Sequence, residues 1–207
     1  MAIIGGGIAG LSCAERLGDT YQVTVYDTGR LRPGGRCSSR QPGDPPKEDQ
    51  EQIHPQLSKY RFDHAAQILT VPDDDDSGFS EQVRAWEQSG TLQRFPPDSV
   101  YHLHSSDSIE PIHSDDSLFF GTHGMGSIAE TIVRESAGTF NLRQDVWISP
   151  SNGVQYLPNS QKWRVQARGR VLGLYDKIVI AHNGKCADRL MSQTPAKKIH
   201  TLLRVNF

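Results

Sequence analysis

The stretch "AIIGGGIAGL", residues 2–11, combines a short apolar run, three consecutive glycines and the beginning of an apolar helical repeat. Residues 2–4 predict a strand, and apolar side chains then recur at helical spacing from Ile8 to Leu17 before Gly18 ends the helix. The segment 21–27, "YQVTVYD", is rich in β-branched and aromatic residues and predicts a second strand. This order predicts a β-turn-α-β unit with parallel strands.

The glycines of this turn have the G-x-G-x-x-G spacing of a phosphate-binding turn, at Gly5, Gly7 and Gly10. The first permits a tight turn, the second lets a diphosphate approach the backbone, and the third lets the helix pack against the strand. Unpaired N–H groups and the helix dipole favour an anion there. Asp27 ends the second strand, where a carboxylate accepts hydrogen bonds from a ribose diol and repels a 2′-phosphate. The sequence therefore predicts a bound dinucleotide other than NADP; the alternative is a glycine-rich turn in a nucleotide-free α/β protein.

A second glycine element follows in "DTGRLRPGGRCSSR", residues 27–40. Gly34 and Gly35 leave the backbone bare for a further stretch of ligand, and Arg36 can pair with a phosphate. This element bears on whether the dinucleotide is NAD or FAD, and it resembles an element that contacts FAD in flavin-dependent amine oxidases; the alternative is a solvated turn with an exposed arginine.

Four stretches together resemble the renalase-like branch of the FAD-dependent amine oxidoreductases, and a fifth fits the same pattern. The four are the glycine turn with Asp27, "GGRCSSR" (34–40), "FDHAAQ" (62–67) and "YDKIVIAHNGKCADRL" (175–190). "GTHGMGSIAETI" (121–132) falls where that family has a Gly-Met turn and a helix. The resemblance implies an α/β fold, with a Rossmann-like FAD/NAD(P)-binding domain built on a parallel sheet and part of a smaller antiparallel substrate domain.

The resemblance also implies domain boundaries and cofactor contacts. We expect residues 1–71 and 119–190 to form the FAD/NAD(P)-binding domain, and 72–118 and 191–207 to form the partial substrate domain. The residues expected to bind FAD are Gly5, Gly7, Ile8, Ala9, Gly10, Asp27, Thr28, Arg30, Gly34, Gly35, Arg36, Ala66, Gln67 and Val146. The short first strand and the ending "LLRVNF", which is interpreted as a strand cut short, lead us to expect a fragment that is inactive alone.

In this family the flavin accepts hydride from the substrate and oxygen then reoxidises it, while the protein supplies position and electrostatics. The resemblance implies oxidation of a small amine or a reduced nicotinamide-type compound. Gln67 is either a flavin-facing contact or a strand residue bonded to backbone, and His64 either tunes the flavin or is structural. No catalytic residue is predicted. The alternatives are a non-catalytic nucleotide-binding scaffold, as in escort and dissociation-inhibitor proteins, and an NAD-dependent dehydrogenase.

No metal site is predicted. His102, His104 and His113 lack an identifiable fourth ligand. The acidic run from Asp73 resembles a calcium loop, but Arg84 stands where a bidentate Glu is needed. That run is better interpreted as an acidic turn leading into a helix over 79–89. Cys37 lacks a visible base and is interpreted as a small, partly buried side chain rather than a nucleophile.

Composition limits the class of protein further. The 207 residues carry 22 basic and 24 acidic side chains, a net charge of −2, which disfavours a nucleic-acid partner. No apolar run is long enough to span a bilayer, and three scattered cysteines favour a reducing compartment. We expect a cytoplasmic protein with a small-molecule substrate, or an organellar one if a leader has been lost; oligomeric state is not predicted.

Beyond residue 40, the sequence predicts a surface loop over 41–58, a strand-like segment over 60–71 and antiparallel strands over 100–120. A second helix is predicted over 124–138. The remaining predicted strands are 146–148, 163–168 and 177–184.

Overall fold

The computed structural model describes residues 1–44, 56–57, 59–72, 75, 77–105, 108–112 and 117–206. Most of the predicted loop 41–58, together with Asp73, His113 and Phe207, lies outside the described residues. The strands in the described ranges are, in chain order, β1 (Ala2–Ile4), β2 (Val23–Tyr26), β3 (Ser39–Arg40), β4 (Phe62–Asp63), β5 (Leu69–Val71), β6 (Leu92–Arg94), β7 (Tyr101–Ser105), β8 (Ser108–Pro111), β9 (Ser117–Gly121), β10 (Phe140–Arg143), β11 (Val154–Leu157), β12 (Lys162–Ala167), β13 (Arg170–Tyr175) and β14 (Ile178–Ile180). The helices there are α1 (Ile8–Gly18), α2 (Phe79–Gln88), α3 (Gly126–Glu135), α4 (Gly184–Met191) and α5 (Lys197–Asn206).

The chain divides into two compact units, one of residues 1–35 with 132–207 and one of residues 36–131. The first unit holds a four-stranded parallel sheet in the order β10-β2-β1-β14. Ala2 of β1 lies opposite Thr24 of β2 on one side and Ile178 of β14 on the other. The predicted α/β class and the parallel β-turn-α-β unit are confirmed. The predicted cofactor and substrate domains stay a prediction.

Both faces of this parallel sheet are covered, which is why β1 has no polar residue. Ile3 packs in a cluster with Ala14 of α1 on one face. Ala2 and Ile4, which point the opposite way, pack in a second cluster that includes Val165 of β12. That strand belongs to a separate antiparallel sheet, β11-β12-β13. A strand buried on both faces is uniformly apolar, as parallel sheets require.

The second unit is built from short antiparallel strands, arranged as β5-β9-β6, β7-β8 and β3-β4. The antiparallel strands predicted over 100–120 are therefore confirmed.

The predicted helix over 79–89 is confirmed as α2, and the acidic turn before it supplies hydrogen-bond acceptors at the start of the helix. The Asp75 carboxylate accepts hydrogen bonds from the Ser77 hydroxyl and from the N–H groups of Ser80 and Ser77, the last two at 2.6 and 3.1 Å. These hydrogen bonds, that of the Ser77 hydroxyl first, lower the pKa of the Asp75 carboxyl.

Two predicted strands are wrong, and a third is confirmed only in part. Residues 146–148 form no strand: β10 ends at Arg143, Asp145 then has a left-handed φ of 55°, and of the three apolar residues Ile148 is buried while Trp147 is 60% exposed. Residues 60–71 form two short strands, β4 and β5, with an irregular segment between them. The ending 202–207 is the last part of helix α5 as far as residue 206, and its apolar Leu202 and Val205 are exposed rather than buried in a sheet.

No helix in the described ranges combines the length and apolar character needed to cross a bilayer. The three cysteines, Cys13, Cys37 and Cys186, are all free thiols.

Candidate dinucleotide-binding site

The glycine turn connects β1 to α1 at the carboxyl end of the parallel sheet. Gly5 has a φ of 117°, which favours glycine, and its N–H donates to the Tyr26 carbonyl at 2.8 Å. A Cβ on Gly5 would lie 2.8 Å from the Ala181 carbonyl oxygen, and a Cβ on Gly10 would lie only 1.9 Å from the Gly5 carbonyl oxygen. The fold itself therefore requires glycine at both positions, for the turn and for the approach of α1.

Gly7 differs from both, since nothing in the part of the chain that the structure describes requires glycine there. It caps α1 with φ −73° and ψ 174°, a conformation open to any residue. A Cβ on Gly7 would meet only the Gly34 carbonyl oxygen, at 3.9 Å. No side chain caps α1, and its first turn holds no acidic residue, so the amides that begin with Ile8 and Ala9 are left for another acceptor. Gly7 thus marks a bare, open surface at a helix N-terminus, which is what a bound phosphate needs.

Asp27 is held beside this turn. It follows β2, is only 8% exposed, and its Oδ1 accepts a hydrogen bond from the Gly6 N–H at 3.3 Å. A Cβ on Gly6 would lie 2.7 Å from the Asp27 side chain. Gly6 was not among the predicted site residues, although the run of three consecutive glycines, one more than the motif needs there, was a signal for it. The contact holds the carboxylate beside the turn, and a carboxylate oxygen is a suitable acceptor for a sugar hydroxyl.

The second glycine element lies directly against the first. The Gly34 N–H donates to the Gly6 carbonyl at 2.8 Å, and Gly34 forms an isolated parallel bridge with Gly7. Gly34 and Gly35 have φ values of 116° and 58°, and a Cβ on Gly35 would lie 3.3 Å from the Gly7 Cα. The two glycine segments, which lack side chains, are therefore in contact. The sequence showed the two glycine patterns separately but not this contact.

The other predicted residues of the first unit, Thr28, Arg30 and Val146, differ in exposure and in their contacts. The Val146 N–H donates to the Asp27 carbonyl at 2.9 Å, which places Val146 beside the site. Thr28 is exposed. The Arg30 guanidinium, also exposed, forms an ion pair with Asp145 at 3.9 Å.

Three predicted residues belong to the second unit. The Ala66 N–H donates to the Arg36 carbonyl at 3.0 Å, so these two residues are adjacent. The side chains of Arg36 and Gln67 are exposed, as is that of His64. The roles of Arg36, Ala66 and Gln67 in binding a cofactor stay predictions.

His182 is a residue of this region that the sequence interpretation missed. Its ring lies against Gly5, with Cδ2 2.9 Å from the position of a Cβ on that glycine. Burial lowers the pKa of His182, and the nearby Asp27 carboxylate opposes that shift. No sequence spacing connects residue 182 with residue 5; only the pairing of β14 with β1 brings them together.

Within the described residues, no group of three or more His, Cys, Asp or Glu side chains is placed to hold a metal ion. The ring centroids of His102 and His104 lie 4.1 Å apart, and His104 Nε2 lies 3.4 Å from Glu110 Oε2. Burial raises the pKa of the Cys37 thiol, and this effect exceeds the opposing one of the Arg36 charge. A raised thiol pKa supports the interpretation of Cys37 as a packed side chain rather than a nucleophile.

Comparison with known proteins agrees with this geometry. Residues 3–81, which contain the glycine turn, Asp27 and the second glycine element, match a family model described as an NAD(P)-binding Rossmann-like domain. The chain thus contains a Rossmann-like domain of the dinucleotide-binding type, in an α/β fold.

Among solved structures, the chain is similar to the crystal structure of a Rab GDI from Plasmodium falciparum, with a TM-score of 0.55 and 9% sequence identity. The match covers 86% of this chain and 64% of that chain, so the present chain spans less than two thirds of its neighbour's length. In all, 183 chains of solved structures match. A fold so widely shared does not assign an activity.

Proposed function

We propose that the chain binds FAD and is part of a FAD-dependent oxidoreductase similar to the renalase-like amine oxidoreductases. The observation that carries the proposal is Gly7, a glycine that the fold does not require, at the uncapped N-terminus of α1. A diphosphate lying against this residue accounts for the glycine, because any side chain would occupy the ligand's position.

The second glycine element supports FAD rather than NAD. The Gly34 N–H hydrogen-bonds directly to the glycine turn, at Gly6, so the backbone surface without side chains extends beyond what one phosphate group needs. A longer surface suits a cofactor whose diphosphate continues into a ribityl chain. Asp27, buried beside the turn, would bind the adenosine ribose and disfavour a 2′-phosphate.

In this proposal the chain's own residues bind and orient the cofactor. The α1 amides and Gly7 hold the diphosphate, and Asp27 fixes the ribose. The flavin, when bound, supplies hydride acceptance from a small amine or a reduced nicotinamide-type compound. The substrate, the cytoplasmic location and the absence of nucleic-acid and membrane partners are further parts of the proposal.

Titration of the purified chain with FAD, NAD and NADP, followed by calorimetry and flavin fluorescence, tests it. We expect saturable FAD binding that is tighter than NAD binding, with NADP the weakest ligand. Asp27→Ala should weaken FAD binding by about tenfold, because the ribose hydrogen bonds are lost. Thr28→Ala, an exposed neighbour, tests a peripheral contact and should change it less. Binding of NAD but not FAD would indicate a dehydrogenase instead.

The second candidate is a nucleotide-binding scaffold without turnover. The structural likeness to a Rab GDI favours it, since that neighbour shares the fold over most of this chain. Saturable nucleotide binding without turnover of an amine or a reduced nicotinamide would support the scaffold, whereas failure of the chain to bind either FAD or NAD would contradict both candidates.

A further inference from the structure

Helix α5 has ten residues, and none of them is buried in the described structure. Its apolar side chains Ile199, Leu202 and Val205 are each more than half exposed. A helix of this length is only marginally stable alone in water, and helices in folded proteins are stabilised by packing of an apolar face. The exposed apolar residues of α5 therefore indicate a surface to which another molecule binds.

An open groove of about 520 Å³ lies beside α5. Its apolar lining comes from β12, β14, α4 and α5, and the larger side chains are those of Trp163, Ile178, Ile180, Met191, Ile199 and Leu203. His200 holds α5 against α4, since its Nε2 lies 3.1 Å from Asp188 Oδ1. A mainly apolar groove of this size, between packed elements, is typical of a binding site.

This groove is separate from the candidate dinucleotide site. Ile178 of β14 packs against the cluster that includes Ala2, whereas Ala14 of α1 packs on the other face of the parallel sheet. The charged residues that line the groove, Asp176 and Lys177, precede β14 and so lie at the amino end of that strand. The glycine turn follows β1 at the carboxyl end of the sheet, so the groove belongs to neither the same face nor the same end.

The residues around the groove carry an excess of positive charge. α5 contains Lys197, Lys198 and Arg204 and no acidic residue, and none of these three forms an ion pair with a described carboxylate. Lys162 pairs with Asp176 and so neutralises the acidic side chain of the groove. Positive charge of this kind attracts an acidic partner and disfavours a basic one.

The concave shape of the groove favours a protein segment over a membrane. A bilayer surface is flat and would contact only the outer side chains of α5, whereas side chains of an amphipathic helix, at i, i+3 and i+4 spacing, can enter a groove. We propose that this groove is a docking site for an acidic amphipathic helix of a partner protein. The apolar side chains of that helix fill the groove, and its carboxylates face the basic residues of α5. The proposal does not depend on FAD binding.

Anisotropy titration of the full chain with a synthetic, fluorescein-labelled helical peptide of about 18 residues tests the proposal. The peptide has Leu along one helical face and Glu on the others; one control peptide has Lys for each Glu, and a second has Ser for each Leu. We expect saturable binding of the Glu-Leu peptide with a Kd on the order of 10 μM, and binding at least about tenfold weaker for both controls. Added salt should weaken the binding, because the basic side chains of α5 are exposed.

Substitutions on α5 locate the binding site. Ile199→Ser removes an apolar side chain of the groove and should weaken peptide binding about tenfold, and Lys198→Glu, which reverses a charge, should weaken it about threefold. Val171→Ser and Arg170→Glu change an exposed apolar and an exposed basic residue of β13, and as matched controls they should leave the affinity within about twofold of wild type. Circular dichroism of each variant should match wild type, since all four side chains are exposed.

Three outcomes would overturn the proposal. The first is no binding of the Glu-Leu peptide below about 1 mM, or equal binding by wild type and the two α5 variants. The second is a dimer of the chain alone, seen by sedimentation, that Ile199→Ser abolishes, which would assign the groove to a second copy. The third is binding to phosphatidylserine vesicles that the same substitution abolishes, which would assign α5 to a membrane surface.

Discussion

Gly7 and Gly10 belong to one sequence motif but are glycines for different physical reasons. A Cβ at residue 10 would lie 1.9 Å from the Gly5 carbonyl oxygen, whereas a Cβ at residue 7 would have nothing closer than 3.9 Å. The packing of the folded chain explains the first glycine and leaves the second to be explained by a ligand. The motif could be predicted from the sequence, but this difference could not, because it depends on how closely α1 crosses the turn.

Gly10→Ala should therefore destabilise the chain strongly. The methyl group has no space unless α1 moves away from Gly5, and overpacking of this kind costs about 1–3 kcal/mol, occasionally more. Denaturant unfolding without ligand checks this. A Gly10→Ala variant as stable as wild type would show that α1 does not approach the turn so closely.

His182 predicts a pH dependence of stability that is independent of any ligand. Burial lowers its folded-state pKa below the ordinary 6.5, so the unfolded chain binds more protons between the two values. Its neutral form thus contributes stability that is complete above pH 6.5 and is lost as the pH falls through the folded pKa.

Thermal unfolding from pH 8 to pH 5 of wild type and His182→Gln tests this. Below pH 6.5, the unfolding midpoint of wild type should fall relative to the midpoint of the His182→Gln variant. A constant difference across the range would contradict the burial of this ring.

At the scale of elements, α3 obtains its N-terminal cap from distant segments of the second unit. The Ser39 hydroxyl accepts a hydrogen bond from the Gly126 N–H at 2.7 Å, and Asp63 Oδ1 accepts one from the Met125 N–H at 2.7 Å. The two side chains are themselves joined, since the Ser39 hydroxyl donates to Asp63 Oδ1 at 2.6 Å. The β3-β4 pair therefore fixes the point where α3 begins.

Ser39→Ala should lower the free energy of unfolding by about 0.5–2 kcal/mol, as for loss of a helix N-cap. Denaturant unfolding measures it, with Ser160→Ala, an exposed serine in a turn, as the control that should change little. An unchanged stability of Ser39→Ala would show that α3 does not depend on this cap.

Short apolar segments formed no strand at two places where a strand was predicted. The apolar run 146–148 fixed neither burial nor backbone conformation, since Ile148 is buried, Trp147 is 60% exposed and the segment is no strand. The ending 202–207 was short enough to suit either a strand or a helix, and α5 extends through it to residue 206. Periodicity was decisive only where it continued for several turns, as in α1.

For the whole molecule, the α/β class and the parallel order of the first two strands could be predicted from the first 27 residues, because local pattern and turn chemistry agree there. The position of His182 against the turn could not, since the pairing of β14 with β1 brings together distant segments. The nearness of Val146 and the second glycine element to the turn was implied by the family resemblance and not by local pattern. The structure adds that the two short glycine elements are in contact, since the Gly34 N–H donates to the Gly6 carbonyl.

The central claim is that Gly7 is open to admit a diphosphate, and FAD titration of Gly7→Val tests it most directly. The backbone conformation of Gly7 is open to valine, and a Cβ there meets nothing closer than the Gly34 carbonyl oxygen at 3.9 Å, so the unfolding midpoint without ligand should stay within a few degrees of wild type. Its methyl groups occupy the diphosphate position, so we predict no FAD binding at concentrations that saturate wild type. A Gly7→Val variant that folds normally and binds FAD as wild type does would contradict the account.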